Sequence, residues 1–132
     1  MIGEERKSLV FDTSAMIKYA KDEEGSAKVG ELFKKHECIA SSISAFEIVH
    51  KMGREDIRAA LLSIAFFEEF FIFISPDYGL AKRAAILKLK YPQANLSMAD
   101  AIIIQTAAER NARIVTCDKE WRVVKEAEIE II

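Results

Sequence analysis

Only two cysteines occur in the 132 residues, Cys38 and Cys117, and no Cys-x-x-Cys is present. A thiolate metal cluster or a dithiol redox motif is thereby excluded, and free, largely buried thiols of a cytoplasmic protein are the default. Histidine is equally scarce. Neither His36 nor His50 lies in a motif that would mark a Ser-His-Asp arrangement. His50 follows Glu47 at the Glu-x-x-His spacing of di-iron bundles, but such sites need a second pair and the chain has none. His36, between Lys35 and Glu37, reads as a surface residue. The chain also lacks an excess of basic charge: 19 Lys and Arg stand against 21 Asp and Glu. A nucleic-acid partner must therefore be met by a local patch rather than by the whole surface. The start, Met1 to Ser8, is charged, and the longest uncharged apolar run of the middle, Ala59 to Phe67, is far short of a membrane span. Nothing reads as secreted or membrane-embedded. Repeats, linkers and low-complexity segments are missing as well. Asn and Gln are few while Lys and Glu are frequent, a composition seen in heat-adapted proteins.

What is present is a core. Half of the residues are hydrophobic, enough for one domain, 1–132, without disulfide staples. The run Leu9-Val10-Phe11 ends on Asp12, two hydroxyl residues follow, and apolar residues then recur with helical spacing, so the stretch reads as strand, turn and helix. The helix runs from Thr13 to Lys21, and Asp22 to Ser26 breaks it. Ala27 to Lys35 is a second helix, Glu37 to Ser41 a short strand, and Ser42 to Met52 a third helix opened by a capping box, Ser44-x-x-Glu47, and ended by Gly53. Arg54 to Phe70 is predicted helical with Ile57, Leu61, Ile64 and Phe67 on one face, and Phe71 to Ile74 a fully buried strand. Ser75-Pro76-Asp77 restarts a helix that Pro92 stops. The helix after Leu96 carries Ile102, Ile103 and Ile104, which suggests burial on nearly all sides, with Asn111 as its C-cap. Arg113 to Thr116 is a strand, Cys117 to Trp121 a loop or short helix, and Ile129 to Ile132 a last strand. Strands alternating with helices predict an α/β fold with a mostly parallel sheet covered on both faces.

Four carboxylates fall at junctions of this map: Asp12 at a strand end, Glu47 and Asp100 at helix starts, and Asp118 two residues beyond a strand. In a parallel sheet with right-handed crossovers, Asp12 and Asp118 share the edge where ligands bind. The helices of Glu47 and Asp100 would aim their positive ends at the same cleft. Like charges gathered there demand a cation, and hard oxygen ligands favour Mg²⁺ or Mn²⁺ over zinc. Ser14 and Thr116 place hydroxyls beside the acids, able to orient a carboxylate or a water. Asp, Thr and Ser also cap helices, so capping and ligation both remain open for these residues at this point.

The ordered set Val-Phe-Asp12-Thr-Ser14, Ser44-Ala-Phe-Glu47-Ile, Leu-Ser-Met-Ala-Asp100-Ala-Ile and Ile-Val-Thr116-Cys-Asp118 resembles the PIN domain, most closely its VapC-type toxin ribonucleases. The resemblance spans nearly the whole chain. It implies a three-layer α/β/α sandwich and metal-dependent hydrolysis of RNA phosphodiesters to 5′-phosphate and 3′-hydroxyl ends. Asp12, Asp100 and Asp118 match metal ligands, and Glu47 matches the acid that holds a second metal or the water. Homodimers and a small antitoxin covering the site are implied too. A bound divalent ion would lower the pKa of water, position the phosphate and neutralise the departing oxygen, so no side-chain nucleophile is required.

Other readings account for parts of the pattern. Asp12-x-Ser14 is one acid short of the pair used by phosphatases with an aspartate nucleophile. A phospho-acceptor module would use Asp77, but it wants paired acids after the first strand and a Lys after the last, whereas Asp12 stands alone and no Lys follows Ile129 to Ile132. An RNA-processing nuclease differs from a toxin only in biological role. The basic stretch Lys82, Arg83, Lys88 and Lys90 is an RNA-facing edge or a solvated helix face. Phe66, Phe67, Phe70 and Phe71 form a dense aromatic run, read here as a dimer or antitoxin contact or as plain core.

Overall fold

The computed structural model describes residues 8–132. Five strands, β1 (Leu9–Phe11), β2 (Cys38–Ser41), β3 (Phe71–Ile74), β4 (Arg113–Thr116) and β5 (Ile129–Ile131), form one sheet in the order β3-β2-β1-β4-β5. Every pairing is parallel, with Val10 opposite Ile39 on one side and Ile114 on the other. The sheet is thus wholly parallel, beyond the mostly parallel sheet expected. Successive strand residues point to opposite faces. Leu9, Phe11, Cys38, Ala40 and Val115 therefore enter one core, whereas Val10, Ile39 and Ile114 enter another. The central strands are buried on both faces, which is why they read as unbroken apolar runs.

Six helices complete the layers: α1 (Thr13–Ala20), α2 (Ser26–Lys35), α3 (Ser42–Gly53), α4 (Ile57–Phe70), α5 (Tyr78–Lys90) and α6 (Met98–Glu109). The first core is filled by Met16 of α1, Val29 and Leu32 of α2, Ile48 and Met52 of α3, and Ala60 and Phe67 of α4. The second takes Leu80, Ala84 and Leu87 of α5, Ile102 to Ile104 of α6, and Trp121 from the 3₁₀ turn Lys119–Val123. Helices α1 to α4 thus cover one face and α5 and α6 the other, a three-layer α/β/α sandwich. No helix among the described residues is long and apolar enough to cross a membrane. Both cysteines are free, and burial pushes the Cys38 thiol up to about 12.

Five local expectations are corrected or narrowed. β3 is an edge strand, so only Phe71 is buried and Ile72 is 47% exposed. On α4 the core-facing residues are Ala60, Ile64 and Phe67, while Ile57 and Leu61 face outward. That helix is apolar on nearly all sides, so its periodicity does not select a face. It also starts later than Arg54, where Asp56 accepts hydrogen bonds from the Arg58 and Ala59 amides. Within the run Phe66 to Phe71, Phe67 and Phe71 belong to the chain's own core and only Phe66 and Phe70 are left to meet a partner. Ser44 and Glu47 form no capping box, because Ser41 caps α3 by accepting from the Ile43 amide.

Candidate active site

The strand order reverses at β1: the chain passes outward through β2 and β3, then returns to β4 and β5 on the other side. A crevice opens at the carboxyl ends of strands where the order reverses in this way. Asp12 follows β1 at that point, its amide donating to the Val115 carbonyl of β4 (2.8 Å). It occupies the N-cap position of α1, yet its side chain makes no capping hydrogen bond. Instead a single oxygen, Oδ2, accepts from Ser14 Oγ and from Thr116 Oγ1, each at 2.7 Å. These hydroxyls are themselves held, since Ser14 Oγ accepts from the Cys117 amide (3.1 Å) and Thr116 Oγ1 from the Asp118 amide (3.0 Å). Among the described residues nothing donates to Asp12 Oδ1.

The other acids are placed by different means. Asp100 does cap: its carboxylate accepts from the Ser97 amide while Ser97 Oγ accepts from the Asp100 amide, a reciprocal capping box at the start of α6. Asp118 caps the 3₁₀ turn through the Glu120 amide (2.9 Å). Glu47 lies more than one turn inside α3, not at its start, and its Oε1 accepts from Thr13 Oγ1 at 2.6 Å. Thr13 Oγ1 also lies 2.9 Å from Ser44 Oγ. Threonine has one proton to give and the carboxylate none, so Thr13 donates to Glu47 and Ser44 donates to Thr13. Both hydroxyls are buried. Lys51, one turn on, approaches the other Glu47 oxygen to 3.9 Å.

Burial pushes the Asp12 carboxyl up to about 6; the Ser14 and Thr116 hydrogen bonds oppose the rise, and the negative charges of Asp100 and Glu47 add to it. Asp100 is raised by burial as well, against its Ser97 hydrogen bonds and with Glu47 and Asp118 adding charge. The four acids thus stand within reach of one another's fields, Asp118 through Asp100. They do not form a ready-made cage: among the described residues no three His, Cys, Asp or Glu are grouped closely enough to hold a metal ion by themselves. The donor chemistry nevertheless fits a hard divalent cation. All donors are carboxylate oxygens, among the described residues no ion pair compensates Asp12, Asp100 or Asp118 as Lys51 does Glu47, and Asp12 keeps an oxygen clear of protein donors.

The sequence profile of the PIN domain matches residues 9–127. The chain belongs to the PIN domain family. No curated protein sequence is similar enough to count as a match. Among solved structures, this PIN domain is similar to VapBC2 from Rickettsia felis bound to a DNA fragment from its promoter, with a TM-score of 0.76 and 16% identity over 93% of this chain and 97% of that one. It is similar to VapC20 of Mycobacterium tuberculosis, a sarcin–ricin loop cleaving toxin, at TM-score 0.70 and 13% identity over 80% and 86%. A toxin–antitoxin complex from Klebsiella pneumoniae follows at 0.66 and 21% over 92% and 99%. At such identities the likeness is one of fold, and the neighbours include VapC toxins of VapBC toxin–antitoxin systems.

Of the residues that position acids in this PIN domain, sequence reasoning missed Thr13 and Ser44. Their signal was present: one hydroxyl directly follows Asp12, and the other precedes Glu47 by three, where a capping role absorbed it. Asp77, the acid a phospho-acceptor would use, spends its carboxylate capping α5 through the Leu80 amide (2.9 Å). In the basic stretch, Arg83 pairs with Glu109 and Lys90 with Glu126, so half of it is occupied by neighbouring acids.

Proposed function

We propose that this chain is a Mg²⁺- or Mn²⁺-dependent endoribonuclease, the toxin of a cytoplasmic toxin–antitoxin pair. One observation carries the reading: Asp12 stands where a helix cap would stand, caps nothing, and is held by one oxygen with the other free, amid Glu47, Asp100 and Asp118. Asp12, Asp100 and Asp118 would hold the cation. When bound, it supplies charge neutralisation at the phosphate and the departing oxygen and lowers the pKa of the attacking water. Ser14 and Thr116 keep Asp12 from turning toward the α1 amides. Thr13 holds Glu47 by one oxygen, leaving the other to orient water for in-line attack on phosphorus. Such attack yields a 5′-phosphate and a 3′-hydroxyl. The toxin role is supported by the VapC neighbours and calls for an antitoxin and a homodimer; Leu62, Phe66 and Phe70 on α4 offer exposed apolar surface for them.

The test is cleavage of unpaired or loop RNA by purified protein. It should require Mg²⁺ or Mn²⁺ and stop in Asp12→Asn, and cleavage undiminished in excess chelator would overturn the proposal. A small antitoxin gene beside this one would separate a toxin from an RNA-processing nuclease.

A further inference from the structure

The outward face of α3 carries a feature that catalysis by the acids does not use. Phe46 is 69% exposed, and it is stacked against His50 with centroids 5.7 Å apart and planes inclined by 22°. Residues three and four apart on a helix are surface neighbours. His50 therefore lies between Phe46 and Glu47 around the helix, with Lys51 one turn beyond Glu47 and paired with it at 3.9 Å, and Arg54 just past the end of α3. Four side chains beside one candidate catalytic acid thus present an open aromatic face, an imidazole and two cations.

Unpaired RNA is recognised by this combination. Bases splay out and stack on aromatic rings while cations follow the phosphates. The aromatic network of Tyr19, Phe33, Phe66 and Phe70 is a separate feature, and among the described residues Phe46 makes ring contact with His50 alone. A protein partner seeking apolar area finds more of it on α4, whereas Phe46 offers one flat ring beside basic groups. We propose that Phe46, backed by His50, is a stacking subsite for an unpaired nucleobase next to the scissile phosphate, with Lys51 and Arg54 following the adjoining backbone. The proposal rests on the ribonuclease reading above.

The test measures binding of a short unpaired RNA in the Asp12→Asn background with Mg²⁺, where RNA is held without being cut. Phe46→Ala should weaken binding about ten-fold, the scale of losing one base–aromatic stack, and Phe46→Tyr should restore it. In Phe46→Trp the new indole should be quenched by RNA but not by an abasic strand of equal length. The single native tryptophan, Trp121, is fully buried and gives a constant background. Unchanged affinity in Phe46→Ala, or equal quenching by the abasic strand, would overturn the subsite. So would a change of oligomeric mass in Phe46→Ala by light scattering, which would make this face a protein contact. Cleavage by the otherwise native chain is run alongside. If it cuts RNA and Phe46→Ala cuts equally well at limiting RNA, the subsite fails and the nuclease reading stands. If it cuts nothing while RNA binding still depends on Phe46, the nuclease reading fails and takes the scissile phosphate with it, while Phe46 stands as a nucleobase contact.

Discussion

At the scale of single residues, the decisive contrast is between Asp12 and Asp100, two acids at helix starts with different employment. Asp100 satisfies backbone amides; Asp12 satisfies none and accepts two hydroxyls on one oxygen. An asparagine at position 12 can place its carbonyl where Oδ2 stands and its NH₂ where Oδ1 meets no donor, so Asp12→Asn keeps the hydrogen bonds and removes the buried charge. The unfolded chain titrates Asp12 near 3.8, the folded metal-free chain near 6. Between these values the folded state binds more protons than the unfolded one. The contribution of Asp12 to stability is therefore greatest below pH 4, falls as pH rises to about 6, and stays lower above. A shift of this size corresponds to about 3 kcal/mol, an upper bound for one group. We expect Asp12→Asn to be more stable than the parent at pH 7 without metal, by about 1–3 kcal/mol, with a flatter pH profile and no RNA cleavage. A mutant less stable than the parent in chelator would show that the carboxylate is structural. Sequence alone could not separate these roles, because Thr116, which holds Asp12, lies 104 positions away and local residue types serve caps and ligands alike.

At the scale of elements, junction residues were legible wherever local chemistry decides them. Asn111 adopts φ +50° just past α6, with its amide bonded to the Ala108 carbonyl and the Ala112 amide to the Ala107 carbonyl. That is the Schellman pattern, one position beyond the expected C-cap. Because a side chain with a Cβ is strained in the left-handed region, Asn111→Ala should cost about 1 kcal/mol in thermal or urea unfolding. Asn111→Gly should cost nothing or stabilise slightly, and equal losses in both would mean that the asparagine side chain matters rather than its backbone. What was not legible depends on tertiary context. The buried face of α4 is chosen by the sheet beneath it, since apolar residues surround that helix. The exposure of Ile72 follows from β3 having one strand neighbour, a fact of strand order. Glu47 was drawn to a helix start by Ser44, yet Ser41 had already capped α3 and freed both side chains to meet Thr13.

At the scale of the whole molecule, the parallel sheet brings together what the chain separates. Asp12 and Asp118 belong to adjacent strands with a common direction, and Glu47 and Asp100 come from helices on opposite faces of the sheet. The mutual repulsion of these acids is a cost carried by the fold in the absence of a cation, so a cation bound among them would raise folding stability. A ligand held only by the folded state stabilises it by about 2.7 kcal/mol at a hundred times its dissociation constant. For a domain of this size that is a rise of about 10 °C in Tm. Parent protein should show this rise when chelator is replaced by Mn²⁺. Asp100→Asn retains an acceptor for the Ser97 amide and so keeps its cap, but it should lose much of the Mn²⁺ shift together with RNA cleavage. Asp77→Asn, altered at a cap on the far helix α5, should keep the full shift and serves as the control for general ion effects. Equal Mn²⁺ shifts in all three proteins, with cleavage intact in Asp100→Asn, would return Asp100 to the role of a helix cap and detach the metal from this cluster.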